Sequence, residues 1–171
     1  GMQPAVCEKG LLVLDCSTYG KSGHAARNEG INALYKATET IEALRTFEFP
    51  LASDLLGKVK LTVTQIQAGT QHNVIPDRCD FVVDVRTNDR YTNAEAVEIL
   101  KSRFPEVEIT PRSLRLNSSA ISIQHPFVRR ALFAGYEPFG SPTLSDQALM
   151  PFPSVKMGPG DSSRSHTADE Y

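Results

Sequence analysis

Residues 58–67 and 74–86 alternate apolar and polar side chains with a period of two, and this pair limits the fold more than any other feature of the chain. In the first run Val59, Leu61 and Val63 point one way, and Lys60, Thr62 and Thr64 the other. In the second, Cys79, Phe81, Val83 and Val85 share one face, opposite Asp80, Val82, Asp84 and Arg86. β-Branched residues are frequent in both, and Ala68 to Asn73 is a short connection, so the pattern predicts two consecutive half-buried strands. Upstream, the apolar run Leu11–Leu14 predicts a strand over 10–18. A helix follows from Asn28 to Phe47, with Ile31, Leu34, Tyr35, Thr38, Ile41 and Leu44 on one stripe and Pro50 beyond it as a stop. Downstream, Thr92 opens a second helix carrying Val97, Leu100 and Phe104, and Pro105 ends it. Residues 106–116 make a last strand with Val107 and Ile109 inward.

The order is strand, helix, strand, strand, helix, strand. That is the α+β, ferredoxin-like βαββαβ pattern: a four-stranded antiparallel sheet with two helices on one face. About 105 residues in two layers can bury a sufficient core. The other sheet face, with Thr62, Thr64, Asp80, Asp84 and Arg86, is expected to be wet or to meet a partner. From Asn117 the character changes. His125 opens a helix through Ala134, Gly140-Ser141-Pro142 reads as a turn, Ser145-Asp146 caps a short helix to Met150, and 153–157 is a short strand before Gly158-Pro159-Gly160. Two helices and one strand cannot enclose a core. The expected division is therefore a linker or remnant of another domain over 1–9, a sheet domain over 10–117, and the carboxy-terminal part of that other domain over 118–171.

The 171 residues are 40% hydrophobic and 22% charged, the balance of a globular chain. Apolar runs of four or five residues are too short for a membrane span, and a net charge of −2 gives no basic excess for nucleic acid. Cys7, Cys16 and Cys79 are an odd number without paired spacing, which predicts free thiols and a cytoplasmic location.

Few residues could carry chemistry. His24, in Ser22-Gly23-His24-Ala25-Ala26, lies between a strand and a helix. It is either a loop histidine bonded to nearby backbone or an imidazole presented to stabilise an oxyanion. His166 ends a Gly- and Ser-rich loop, where it could be a metal ligand or a surface residue. One histidine is not a metal site, and no His-Glu-x-x-His or Cys-x-x-Cys occurs. Neither a Gly-x-Ser-x-Gly elbow nor a phosphate-binding loop is present. Asn73 stands at a strand entrance and Arg86 at a strand end; Arg86 could fork onto a substrate carboxylate or pair with Asp84 or Asp89.

Taken together, Glu8-Lys9-Gly10, Gly23-His24-Ala25-Ala26, Gly69-Thr70-Gln71-His72-Asn73-Val74-Ile75-Pro76-Asp77, Val83-Asp84-Val85-Arg86, Ser145-Asp146, and Gly158-Pro159-Gly160 leading to His166-Thr167-Ala168-Asp169-Glu170 occur in the order of one family. The chain resembles the carboxy-terminal part of the aminoacylase, acetylornithine deacetylase and succinyl-diaminopimelate desuccinylase group of dinuclear zinc hydrolases, most closely the acetylornithine deacetylases. The resemblance implies a cytoplasmic homodimer, paired through residues 10–117, that deacylates an N-acyl amino acid such as N-acetyl- or N-succinyl-ornithine by metal-activated water attack, with two zinc or cobalt ions. It implies that His166 ligates metal and that His24 reaches into the partner's site to hold the oxyanion. Asn73, Arg86, Ser145, Asp146, Gly158, Gly160 and Arg164 would meet the substrate. The remaining metal ligands and the general base would lie in an amino-terminal half that this chain lacks, so alone it is expected to hold no metal and to be inactive. A succinyl-diaminopimelate desuccinylase or a peptidase of the same family is an alternative reading, as is a non-catalytic dimerisation or ligand-binding module.

Overall fold

The computed structural model describes residues 2–158. The elements in chain order are β1 (Ala5–Glu8), β2 (Leu12–Tyr19), β3 (Gly23–His24), α1 (Ala33–Thr46), β4 (Lys60–Ala68), β5 (Val74–Ile75), β6 (Arg78–Arg86), α2 (Asn93–Arg103), β7 (Glu108–Pro111), β8 (Ser119–Ala120), α3 (Pro126–Phe133) and β9 (Phe139–Ser141), with a short 3-10 helix over Asp146–Leu149. Strands β4, β6, β2 and β7 lie in that order, and each neighbouring pair is antiparallel. This is the ferredoxin-like arrangement that the alternating runs predict. Leu12, Leu14, Cys16, Cys79, Phe81, Val83 and Val85 enter the core beneath α1 and α2, with Ala96, Val97 and Leu100 above them. Three edge-on aromatic contacts, Phe47–Phe49 and Phe49–Tyr91 at 5.2 Å and Phe47–Phe104 at 6.0 Å, close one end of this core.

Four local readings need correction. The first helix begins at Ala33, not Asn28, and its cap is Asn32, whose side chain accepts the Leu34 amide at 2.9 Å. Residues before it are held elsewhere, because Lys21 and Ile31 exchange two backbone hydrogen bonds of 2.8 Å. The buried face of α1 is Ala33, Ala37 and Leu44, flanked by half-buried Leu34 and Ile41, while Tyr35 stays 67% exposed. Small side chains bring the helix close to the sheet, so its buried stripe is less apolar than its flank. In β4 the register shifts between Val63 and Gln65, which makes Thr64 a bulge and ends the simple alternation there. The long strand read from 74 to 86 is two strands, since Pro76 has no amide to donate. The last strand is likewise shorter, with only Glu108–Pro111 paired to β2.

A second, three-stranded sheet has the order β8-β1-β9, with β8 antiparallel and β9 parallel to β1. Residues 5–8, within the segment expected to be a linker or remnant of another domain, are its central strand, and Phe139–Ser141 is a strand rather than a turn. The strand expected at 153–157 reduces to one bridge between Lys156 and Ala5. Val6, Cys7, Leu56, Ile121 and Val128 form a small separate core here.

The chain crosses between the sheets twice, at Lys9–Leu11 and at Leu116–Ser118, and the two crossings lie side by side. Gly10 donates to the Thr87 carbonyl at 3.0 Å, and a β-carbon on it would stand 2.8 Å from the Ser118 nitrogen, so only glycine fits. Fully buried Asn93 ties both crossings together. Its amide nitrogen donates to the carbonyls of Leu11 at 3.1 Å and Leu116 at 2.9 Å, and its carbonyl oxygen accepts the Thr87 hydroxyl at 2.9 Å.

Candidate functional site

His24 is positioned by two loops that meet at one end of the four-stranded sheet. Gly23 and His24 pair antiparallel with Ile75 and Val74. The Ala25 amide donates to the Asn73 carbonyl at 3.0 Å, and the Gly20 amide to the Asp77 carbonyl at 2.8 Å. Gly30, at φ +89°, turns the chain back so that Ile31 can pair with Lys21. The imidazole is exposed, and its Nδ1 accepts the Ala26 amide at 3.1 Å. With that lone pair engaged, a neutral ring carries its proton on Nε2. The bond from the Ala26 amide matches the reading of His24 as a loop histidine bonded to nearby backbone. The structure brings His24 and Asn73 together.

Arg86 is not part of that cluster. It lies eight positions along β6 from Arg78, roughly 26 Å toward the opposite end of the sheet. Its guanidinium forks onto Asp84, with Nε at 2.7 Å and the second nitrogen at 3.0 Å, and both side chains are half-buried. The open sheet face around Asp80 carries further paired groups. Asp80 accepts the Ser17 hydroxyl at 2.6 Å and Arg78 Nε at 2.8 Å, and first the Ser17 bond and then Arg78 hold its carboxyl below the usual range. Tyr19 donates to Glu108, and that bond raises the phenol above its usual value.

Ser145, Asp146 and Gly158 lie in the segment that follows β9. Ser145 caps the short 3-10 helix, Asp146 is exposed in its first turn, and Gly158 has open space around it. Gly160, Arg164 and His166 lie outside the described residues. Among the described residues, no group of three or more His, Cys, Asp or Glu side chains could hold a metal ion.

Sequence reasoning gave no role to Glu8. Its carboxylate is fully buried, 2.5 Å from Lys156 Nζ, and accepts the Ser145 amide at 3.0 Å and the Ser145 hydroxyl at 2.6 Å. One signal for it existed: a charged residue closing the otherwise apolar stretch Ala5-Val6-Cys7.

Comparison with known proteins places this geometry. Over 107 residues the chain is 26% identical to succinyl-diaminopimelate desuccinylase 1 of Alteromonas mediterranea, covering 61% of this chain and 27% of that protein. It is 28% identical over 88 residues to succinyl-diaminopimelate desuccinylase 2 of Shewanella loihica, covering 50% of this chain and 23% of that one. The fold matches a Bacillus cereus aminopeptidase with a TM-score of 0.67 at 14% identity, over 92% of this chain and 46% of that chain. It matches a Staphylococcus aureus tripeptidase with a TM-score of 0.68 at 17% identity, over 91% and 44%. The chain thus spans about a quarter of the curated relatives it matches and less than half of these solved chains. The sequence pattern of the peptidase dimerisation domain covers residues 6–109, more than half of the chain, so the chain belongs to the peptidase dimerisation domain family.

Proposed function

We propose that the chain is the lid-bearing, carboxy-terminal part of a metal-dependent amidohydrolase that removes the acyl group from an N-acyl amino acid, of the N-acetyl- or N-succinyl-ornithine kind. Zinc or cobalt ions would be carried by residues other than the described ones. The observation that carries the reading is the exposed imidazole of His24, its Nδ1 engaged by the Ala26 amide, on a platform of paired loops in a member of the peptidase dimerisation domain family. A donor fixed in advance can stabilise charge that develops on a carbonyl oxygen. Arg86, roughly 26 Å along β6 from the end where the His24 loops meet, cannot serve one substrate together with its own chain's His24. The two fit a site completed by a second copy, with His24 supplied across the dimer. Exposed Tyr35 and Ile31 beside α1, and edge strand β4, are the surfaces offered for that pairing.

Exposed apolar side chains on α3 and in or after the short 3-10 helix fit a part that packs against a further element. Phe133 is 93% exposed and Phe152 60%, with Phe127 and Leu149 also open. Such a surface in water calls for a covering element. The test uses the polypeptide at the length of its relatives, assayed on N-acetyl- and N-succinyl-amino acids. His24→Ala is expected to lower turnover by roughly a hundredfold with the dimer intact. Undiminished turnover would remove His24 from the reaction, and absence of any deacylation by the unaltered protein would end the reading.

A further inference from the structure

We propose that Glu8 is a positioning residue for the Ser145–Asp146 turn, holding that turn and Lys156 against the chain that leads into the four-stranded sheet. The role of this turn in the substrate pocket rests on the proposed function. The tether itself rests on geometry. Glu8 closes β1, and its neighbours in register are Ser119 on one side and Ser141 on the other. Its own carbonyl accepts the Ser118 hydroxyl at 2.6 Å, which fixes its backbone to the returning crossing.

From that fixed point the carboxylate reaches two separate segments. Oε2 receives both the amide and the hydroxyl of Ser145. With its proton spent on Glu8, the Ser145 hydroxyl turns a lone pair toward the Gln147 amide at 3.4 Å and caps the short helix. Oε1 meets the ammonium of Lys156, which also donates to Ser141 Oγ at 3.3 Å. Lys156 lies just before Gly158, so one carboxylate sets both segments that sequence reading assigned to the pocket. Glu8 also stands directly before Lys9-Gly10, where the chain leaves for the four-stranded sheet that carries Arg86. A swing of that sheet about the crossings would therefore pull on the Ser145 turn through a single buried group.

A buried charge pair can be replaced by apolar side chains with little loss of stability. This separates positioning from mere folding. The double variant Glu8→Leu with Lys156→Met removes both charges while keeping bulk, and leaves Ser145 without its acceptor. Glu8→Gln with Lys156→Met also removes both charges but keeps a carbonyl for Ser145. In the full-length enzyme the Leu/Met variant is expected to raise KM for the N-acyl amino acid about tenfold with kcat within about threefold, and the Gln/Met variant to recover most of the loss. Exchange of the Gln147 and Ala148 amides should be at least tenfold faster in the Leu/Met variant only. An unchanged KM in a folded Leu/Met variant overturns the proposal. If the unaltered protein deacylates nothing, the functional reading fails, and the exchange measurement still decides: unchanged protection overturns the tether.

Discussion

The Ala25 amide and the Asn73 carbonyl, 48 positions apart in the chain, share a hydrogen bond of 3.0 Å that joins the loop before α1 to the loop between β4 and β5. That bond and the β3–β5 pairing hold His24 away from the core, on backbone rather than on side-chain packing. Gly30 is the weak point of this platform. An L-residue there would adopt φ +89°, with its β-carbon 2.8 Å from the Lys21 carbonyl. Gly30→Ala is expected to destabilise the fold by about 1–2 kcal/mol. Urea unfolding checks the magnitude. Amide exchange should rise first at Gly23 to Ala26, leaving Leu12–Tyr19 protected.

Asn93 should be far less tolerant than its polarity implies. Asn93→Ala strips the Leu11 and Leu116 carbonyls of a donor inside the protein, and the expected destabilisation is about 2–4 kcal/mol. Asn93→Asp should be no better, since a carboxylate cannot donate to those carbonyls. Chemical denaturation of both variants tests this, and a loss under 1 kcal/mol would contradict the clamp.

The three thiols should resist modification. Cys7, Cys16 and Cys79 are free and buried. Burial, with smaller contributions from Asp89 and Glu8, pushes the Cys7 thiol up to about 11; burial, then Asp15, pushes Cys16 up to about 12. At pH 8 almost no thiolate exists at either, so a disulfide reagent should label the native protein slowly and the unfolded protein at once. Rapid labelling of the folded chain would show that the strands open readily.

Acid should act on the open sheet face through Asp80. Its folded carboxyl lies below the ordinary value, so it binds a proton less readily than in the unfolded chain. Its stabilisation is present above about pH 4 and disappears as pH falls through the folded value. Because the group is exposed, the effect is about 0.5 kcal/mol. Asp80→Asn should therefore lie below the parent in stability at pH 7, and the gap should close as pH falls through the folded value, as measured by denaturant midpoints.

The four-stranded sheet was legible because its inner face alternates cleanly: Cys79, Phe81, Val83 and Val85 are all buried, and Thr92 caps α2 as its sequence implies. What failed to show locally was set by distant partners. Ala33 and Ala37 look indifferent in sequence, yet their small size decides which face of α1 meets the sheet. The Thr64 bulge follows from pairing with β6, and the strand at Phe139–Ser141 exists only because β1 lies beside it. His24 and Asn73 stood out as motif residues, but their adjacency depends on a contact between loops. Glu8 showed only as a motif residue and as the charge ending an apolar stretch, because burial, not spacing, gives it its contacts.

Glu8 and Ser119 are neighbours across one strand pair, although the entire four-stranded unit lies between them in the chain. A direct turn joining these two positions would close the three-stranded sheet without that unit. The molecule is thus built like a graft on a stem: two neighbouring strands make the seam, and Leu56 reaches back from the crown into the stem's small core and pins it there.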